Sequence, residues 1–195
     1  MRHTRGKVLV PIALMVLLAV LLVTAVAAQE NVGYFRTRID PHVAGVFING
    51  KYYGTAAMFG HKQTAIKLPP GKYEVEVVDP RYKTLKATVQ IEAGKWSVLR
   101  HSLKPLSAKA TGPFGELITE GFGNAAVYLN GKYYANSQEL DTPGQSLLLP
   151  PGAYDMKIVD PAGTTLKQQK IEINADETLV ISKTGAPVRR KGPEG

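Results

Sequence analysis

After Pro69-Pro70-Gly71 the chain alternates strictly between apolar and polar positions. Tyr73, Val75 and Val77 fall on one face of an extended segment, with Glu74 and Glu76 on the other. Further on, Ala87, Val89 and Ile91 alternate with Thr88, Gln90 and Glu92. Successive side chains of a strand point to opposite sides, so a period of two with one polar face predicts half-buried antiparallel strands. The rhythm returns later, as Tyr154, Met156 and Ile158 against Asp155 and Lys157, then Ile171 and Ile173 against Lys170, Glu172 and Asn174. Turn signals stand between these runs. Asn49-Gly50 and Asn130-Gly131 each separate two apolar stretches and predict two-residue hairpins, because both central residues must accept positive φ. Asp79-Pro80 and Asp160-Pro161 end strands, since proline donates no hydrogen bond to the ladder.

These features come in pairs. Asn49-Gly50-Lys51-Tyr52-Tyr53 recurs as Asn130-Gly131-Lys132-Tyr133-Tyr134, and Leu68-Pro69-Pro70-Gly71 as Leu149-Pro150-Pro151-Gly152. Val78-Asp79-Pro80 recurs as Val159-Asp160-Pro161, and Thr84-Leu85-Lys86 as Thr165-Leu166-Lys167. All four pairs share an offset of 81 residues, and a one-residue shift then aligns Ile91 with Ile173 and Val98 with Val180. A repeat of this length marks a tandem array of one supersecondary unit. The copies run from about 36 to 104 and from about 116 to 183. Residues 105–115, rich in Ala, Ser, Gly and Pro, read as a linker, and the basic tail 184–195, without apolar periodicity, is expected to be disordered. Each copy holds six or seven short strands spaced as in a sandwich. The fold class is therefore all-β: two tandem small antiparallel β-sandwich modules, immunoglobulin-like in plan, behind an N-terminal signal or anchor helix.

That N-terminal segment, residues 1–28, opens with Met-Arg-His-Thr-Arg-Gly-Lys and continues as an apolar run from Val8 to Ala28. A basic start, an apolar middle and small residues at the end make a secretory signal, cut after Ala27 or Ala28. The run is also long enough to span a bilayer, for which about 20 residues suffice, so an uncleaved anchor is the alternative. Either way the modules lie outside the cytoplasm: periplasmic, at the cell surface or extracellular, or held at the inner membrane.

The residues also resemble a known family, the PEGA domain. Its pattern is a Pro-x-x-Ala-x-aliphatic-aromatic-aliphatic-(Asp/Asn)-Gly hairpin followed by a Pro-Gly-x-Tyr strand. The first copy gives Pro41-His42-Val43-Ala44-Gly45-Val46-Phe47-Ile48-Asn49-Gly50 and Pro70-Gly71-Lys72-Tyr73. The second gives Ala125-Ala126-Val127-Tyr128-Leu129-Asn130-Gly131 and Pro151-Gly152-Ala153-Tyr154. Phe122 stands where the pattern has proline, and neither copy has the Gly-x-Thr-Pro stretch usual after the hairpin. The resemblance implies an extracytoplasmic β-sandwich; it implies no common reaction and supplies no catalytic residues.

Composition narrows the chemistry. With no cysteine, disulfides, thiolate metal sites and cysteine nucleophiles are excluded, and the missing lipobox cysteine argues against a lipoprotein. The net charge is +8, but Arg2, Arg5 and Lys7 lie in the leader and Lys183, Arg189, Arg190 and Lys191 in or next to the tail. The folded part is thus only slightly basic, which argues against nucleic acid as a partner. Beyond the leader, His42, His61 and His101 have no counterparts in the second copy and read as exposed loop or strand residues, so no metal site is expected. No serine lies in a Gly-x-Ser-x-Gly elbow, and no phosphate-cradling glycine loop precedes a helix. The expectation is a protein that is not an enzyme and carries no cofactor.

The candidate binding residues are aromatic. A two-residue turn at Asn49-Gly50 opposes Phe47 to Tyr52, and the turn at Asn130-Gly131 opposes Tyr128 to Tyr133. Val46, Ile48 and Tyr53 then face the core, which leaves Phe47, Tyr52, Tyr128 and Tyr133 outward. Three readings remain open: a cross-strand pair that steadies each hairpin, a platform for sugar rings or a partner strand, or packing of one module on the other. The reading for the whole is a non-catalytic exported structural or interaction protein of a bacterial cell envelope, with an envelope protein or cell-wall glycan as partner. The alternative is a carbohydrate- or peptidoglycan-binding module that uses the outward tyrosines. Contact with membrane comes only through the N-terminal segment, if uncleaved.

Overall fold

The computed structural model describes residues 31–107 and 111–191. The apolar N-terminal segment read as signal or anchor lies outside the described residues, as do residues 108–110 of the linker and 192–195 of the tail. Among the described residues no helix is long and apolar enough to cross a membrane.

Module 1 is built from β1 (Gly33–Asp40), β2 (Gly45–Ile48), β3 (Lys51–Thr55), a 3-10 turn (Ala56–Phe59), β4 (Ile66–Leu68), β5 (Gly71–Val78), β6 (Leu85–Ile91) and β7 (Trp96–Ser102). Module 2 repeats the order as β8 (Gly115–Glu120), β9 (Ala126–Leu129), β10 (Lys132–Asn136), α1 (Ser137–Leu140), β11 (Leu147–Leu149), β12 (Gly152–Val159), β13 (Thr165–Ile173) and β14 (Glu177–Ser182), then adds β15 (Val188–Lys191). The two sheets of module 1 run β4-β1-β7 and β3-β2-β5-β6; those of module 2 run β11-β8-β14-β15 and β10-β9-β12-β13. Each pair closes as a sandwich on its own core. In module 1, Phe35 and Ile39 meet Val46, Ile48, Val75 and Val77; in module 2, Leu117 and Ile181 meet Val127, Leu129, Met156 and Ile158.

The turn chemistry accounts for the motifs. Asn49 and Gly50 have φ of 49° and 76°, Asn130 and Gly131 of 50° and 76°, the left-handed pair that a tight hairpin needs. Each turn asparagine also ties its hairpin to the next strand. Asn49 Oδ1 accepts from the Glu74 amide at 2.9 Å, and Asn130 Oδ1 from the Asp155 amide at 2.8 Å. The tyrosine after each Pro-Gly donates back to the turn, Tyr73 to the Pro69 carbonyl at 3.0 Å and Tyr154 to the Pro150 carbonyl at 2.9 Å.

Four features depart from the sequence pattern. The sandwiches are not wholly antiparallel: β1 runs parallel to β7, and β8 to β14. Alternation is the same in either direction, so strand polarity leaves no mark on it. The Thr84-Leu85-Lys86 and Thr165-Leu166-Lys167 pair is not in structural register. A bulge between Ile158 and Val159 sets Ile158 opposite Lys167, whereas the equivalent Val77 faces Leu85, so Leu166 is the inserted residue. Each hairpin also carries a bulge on its second strand, with Tyr53 the extra residue opposite Val46 and Phe47 and Tyr134 the extra residue between Tyr133 and Ala135. Finally, the tail expected to be disordered is partly ordered. β15 pairs antiparallel with β14, from Glu177 opposite Lys191 to Val180 opposite Val188. Its side chains are all exposed, so no periodicity signals it. Backbone pairing holds it, with Arg189 in contact with Glu177 at 3.3 Å and donating to the Glu172 carbonyl at 2.8 Å.

Candidate functional site

The hairpin register at the tips is the one the turns dictate: Phe47 opposes Tyr52, and Tyr128 opposes Tyr133. The bulges fall beyond these pairs, so their side chains do leave the module cores. They are nonetheless not an outward platform. Phe47, Tyr52 and Tyr133 are 8%, 4% and 8% exposed, and together with Ala126 they form a separate buried cluster, with Tyr128 half-buried at its rim. The physical reason is that the two hairpins face each other. The aromatic side of module 1 is covered by that of module 2, which corrects the expected exposure of these residues and leaves module packing as the geometry found.

The cluster is tightly fitted. Phe47 lies 5.3 Å from Tyr52 and 5.3 Å from Tyr133 between ring centroids, edge-on to Tyr133 at 84°, while Tyr128 meets Tyr133 edge-on at 6.1 Å. Such tilted contacts suit the ring quadrupoles and add to the gain from burial. The Tyr133 ring rests on Gly45, where a Cβ would come within 2.6 Å of a ring carbon. Glycine is therefore required by space at position 45, whereas the corresponding Ala126 fits in module 2.

A polar clasp surrounds the Tyr52 hydroxyl. Asn136 Nδ2 donates to it at 2.6 Å and to Asn124 Oδ1 at 2.7 Å, and the hydroxyl donates to Asn124 Oδ1 at 3.5 Å. Asn136 Oδ1 meanwhile caps α1 by accepting from the Gln138 amide at 2.8 Å. One side chain thus joins its own helix to the other module. Tyr133 has a poorer environment: its hydroxyl is buried beside that of Tyr52 and makes no well-directed hydrogen bond. Burial pushes the Tyr52 phenol up to about 12, with the Asn136 bond pulling against it, and holds Tyr133 well above its usual value. Beside the cluster, a cavity of about 400 Å³ opens between the modules. At its edge the buried Asp79 carboxylate takes Arg81 through Nε at 3.0 Å and Nη2 at 2.7 Å, and half-buried Glu139 is raised by burial against the opposing charge of Arg81.

The clasp residues Asn124 and Asn136 and the spacer Gly45 were not candidates from sequence. A signal was nevertheless present in the difference between copies: Val43 and Thr55 occupy in module 1 the places that Asn124 and Asn136 hold in module 2. Among the described residues no group of three or more His, Asp or Glu side chains is placed to hold a metal ion.

Residues 36–106 match the sequence profile described as PEGA domain. The first module is a PEGA domain. The match takes in the whole hairpin-to-β7 span of this module, and the second module repeats the PEGA module's strand order, turn asparagine and returning tyrosine. No curated protein matches the chain in sequence. Among solved structures, the Bacillus anthracis TIE protein is similar at 18% identity over 78% of this chain and 33% of its own, with a TM-score of 0.28. A leucine-rich repeat protein from Bacteroides thetaiotaomicron VPI-5482 is similar at 14% identity over 82% and 26%, with a TM-score of 0.21. The Bacteroides ovatus mixed-linkage glucan utilization locus protein SGBP-B, solved with a mixed-linkage heptasaccharide, is similar at 13% identity over 78% and 45%, with a TM-score of 0.20. The chain spans less than half the length of each of these structures.

Proposed function

We propose that the chain is a non-catalytic, exported protein of the cell envelope in which a PEGA domain and its repeat act as one rigid structural or interaction unit. The observation that carries this reading is the junction. Four aromatic side chains and the Asn124–Asn136 clasp are committed to holding the modules in one orientation. Export rests on the basic-then-apolar pattern of residues 1–28. Glycan binding through Phe47, Tyr52, Tyr128 and Tyr133 finds little support, because a stacking platform needs an open ring face and these rings face each other.

The test uses the chain from residue 29 onward and its Tyr52→Ala/Tyr133→Ala variant. Each is sedimented with insoluble cell-wall sacculi and polysaccharides at moderate salt and measured by small-angle scattering. The rigid-unit reading expects the variant to scatter as a longer, looser particle while any retention on polymer stays as it was. Retention that vanishes in the variant while the scattering stays the same would restore the tyrosine platform.

A further inference from the structure

The outer face of β4-β1-β7 differs from everything else in the molecule. β1 and β7 are parallel and in register, which sets Tyr34 beside Trp96, Arg36 beside Val98 and Arg38 beside Arg100. Tyr34 and Trp96 stack, with ring centroids 4.8 Å apart and planes 20° from parallel. Trp96 stays 45% exposed, and the cations of Arg36 and Lys62 each lie 5.9 Å from its ring centroid. Arg36 is 8% exposed, and its buried Nε has no protein acceptor. Beyond Arg38 and Arg100 the face opens into a cleft of about 720 Å³ that His42, His61 and His101 also line, with Asp40 the carboxylate on its rim. His42, His61 and His101, which have no counterparts in module 2, thus line one cleft. Among the described residues no carboxylate forms an ion pair with Arg36, Arg38 or Arg100.

Part of this arrangement has a structural return, since Arg36 lies over the Trp96 ring and Arg100 charges the open edge of β7, but the facing of Arg38 and Arg100 has no partner within the chain. Like charges directly across a strand pair oppose folding, and the buried Arg36 Nε without an acceptor does so as well. Module 2, built on the same strands, has none of it: its register pairs at these positions are Glu116 with Thr178, Ile118 with Val180 and Glu120 with Ser182. The strand framework forms without the cationic face, which leaves the Arg38–Arg100 pair available to a ligand. Two guanidiniums on neighbouring strands, about 4.8 Å apart at the backbone, suit an oxyanion that accepts from both. The aromatic step lies four residues along the same strands, about 13 Å away. Oxyanion and flat ring then belong to separate units of an extended ligand. We propose that this face of the PEGA module binds an anionic polysaccharide, with its carboxylates on Arg38 and Arg100 and a sugar ring against Trp96. The site lies in module 1 and does not use the junction, so it stands or falls independently of the rigid-unit reading.

Trp96 is the only tryptophan of the chain, so its fluorescence reports on this face alone. The chain from residue 29 onward, which keeps the whole unit 32–195, is titrated with polygalacturonate, inorganic polyphosphate, single-stranded DNA and neutral dextran. Polygalacturonate is expected to change Trp96 emission at the lowest concentration, and dextran to have no effect. Arg38→Ala/Arg100→Ala, both at exposed positions, is expected to bind at least about tenfold more weakly with an unchanged melting temperature. Arg189→Ala/Arg190→Ala in the tail is expected to bind as the parent does. Equal binding by the Arg38/Arg100 variant, loss of binding in the tail variant, or no response to polygalacturonate would each overturn the proposal. Polyphosphate or DNA binding as tightly as polygalacturonate would also overturn it, by assigning the face to phosphate polymers in general.

Discussion

At the junction, two tyrosines hold equivalent hairpin positions and have opposite surroundings. The Tyr52 hydroxyl accepts from Asn136 at 2.6 Å, while that of Tyr133 is buried beside it without a well-directed hydrogen bond. Removing a bonded hydroxyl leaves its partner short, whereas removing an orphan relieves a desolvation cost. Tyr52→Phe is therefore expected to destabilise by about 1–2 kcal/mol, and Tyr133→Phe to be neutral or stabilising by up to about 1 kcal/mol, as read from urea unfolding. The same burial sets a pH dependence. In the unfolded chain these phenols ionise near pH 10.0, while folded Tyr52 holds its proton to about 12 and Tyr133 is raised in the same direction. Between those values the folded state binds more protons, so stability is full below pH 10 and falls as pH rises toward 12. The urea midpoint is expected to drop over that range, and to drop less in Tyr52→Phe. Gly45 gives a steric counterpart. A Cβ there would sit 2.6 Å from the Tyr133 ring, so Gly45→Ala is expected to cost about 1–3 kcal/mol. Its effect should be non-additive with Tyr133→Ala, because the second change removes the clash.

Strands and turns were the legible level. Asn-Gly, Pro-Pro-Gly and Asp-Pro fixed where the chain reverses, and alternation named the faces that became the two cores, down to Val75 and Val77 in one module and Met156 and Ile158 in the other. What stayed illegible depends on neighbours that alternation does not encode. Phe47 and Tyr52 were rightly placed on the face away from the core, yet nothing local says that a second hairpin covers that face. The cationic face was equally hidden, since only the parallel pairing of β1 with β7 brings Arg38 beside Arg100. β15 was missed because its four side chains are all exposed and it contributes only backbone. That strand has a physical role of its own. It covers the edge of β14, whose Leu179, Val180 and Ile181 are buried. The equivalent edge of β7 has no such cover and carries Arg100 and His101 instead, which is the other common guard of an open edge. A chain ending at residue 187 is accordingly expected to keep its fold but to self-associate with rising concentration in sedimentation velocity. Sedimentation identical to the intact chain at every concentration would show that β14 needs no cover.

Across the whole molecule, two complete cores and one shared cluster set how the chain unfolds. Each module buries its own apolar layer, so each is capable of its own transition. Whether they melt together depends on the junction. If one module unfolds first, Phe47, Tyr52, Tyr133 and Ala126 lose their cover, and the Asn136 bond to Tyr52 is broken. Burying large aromatic side chains is worth roughly 1.5–3 kcal/mol each, and a broken buried hydrogen bond adds about 1 kcal/mol. A loss of that size is comparable to the whole stability of a small domain, about 5–15 kcal/mol. The first module to open therefore removes much of what keeps the second closed. Calorimetry on the chain from residue 29 onward is expected to show one transition, with calorimetric and van't Hoff enthalpies in agreement. In Tyr52→Ala/Tyr133→Ala the cores are untouched but the coupling is gone, so the single peak should split into two at lower temperature. Two peaks already present in the parent would mean that the modules are joined only by the linker and the contact at the hairpins is too weak to set their orientation, which would remove the basis for a rigid unit.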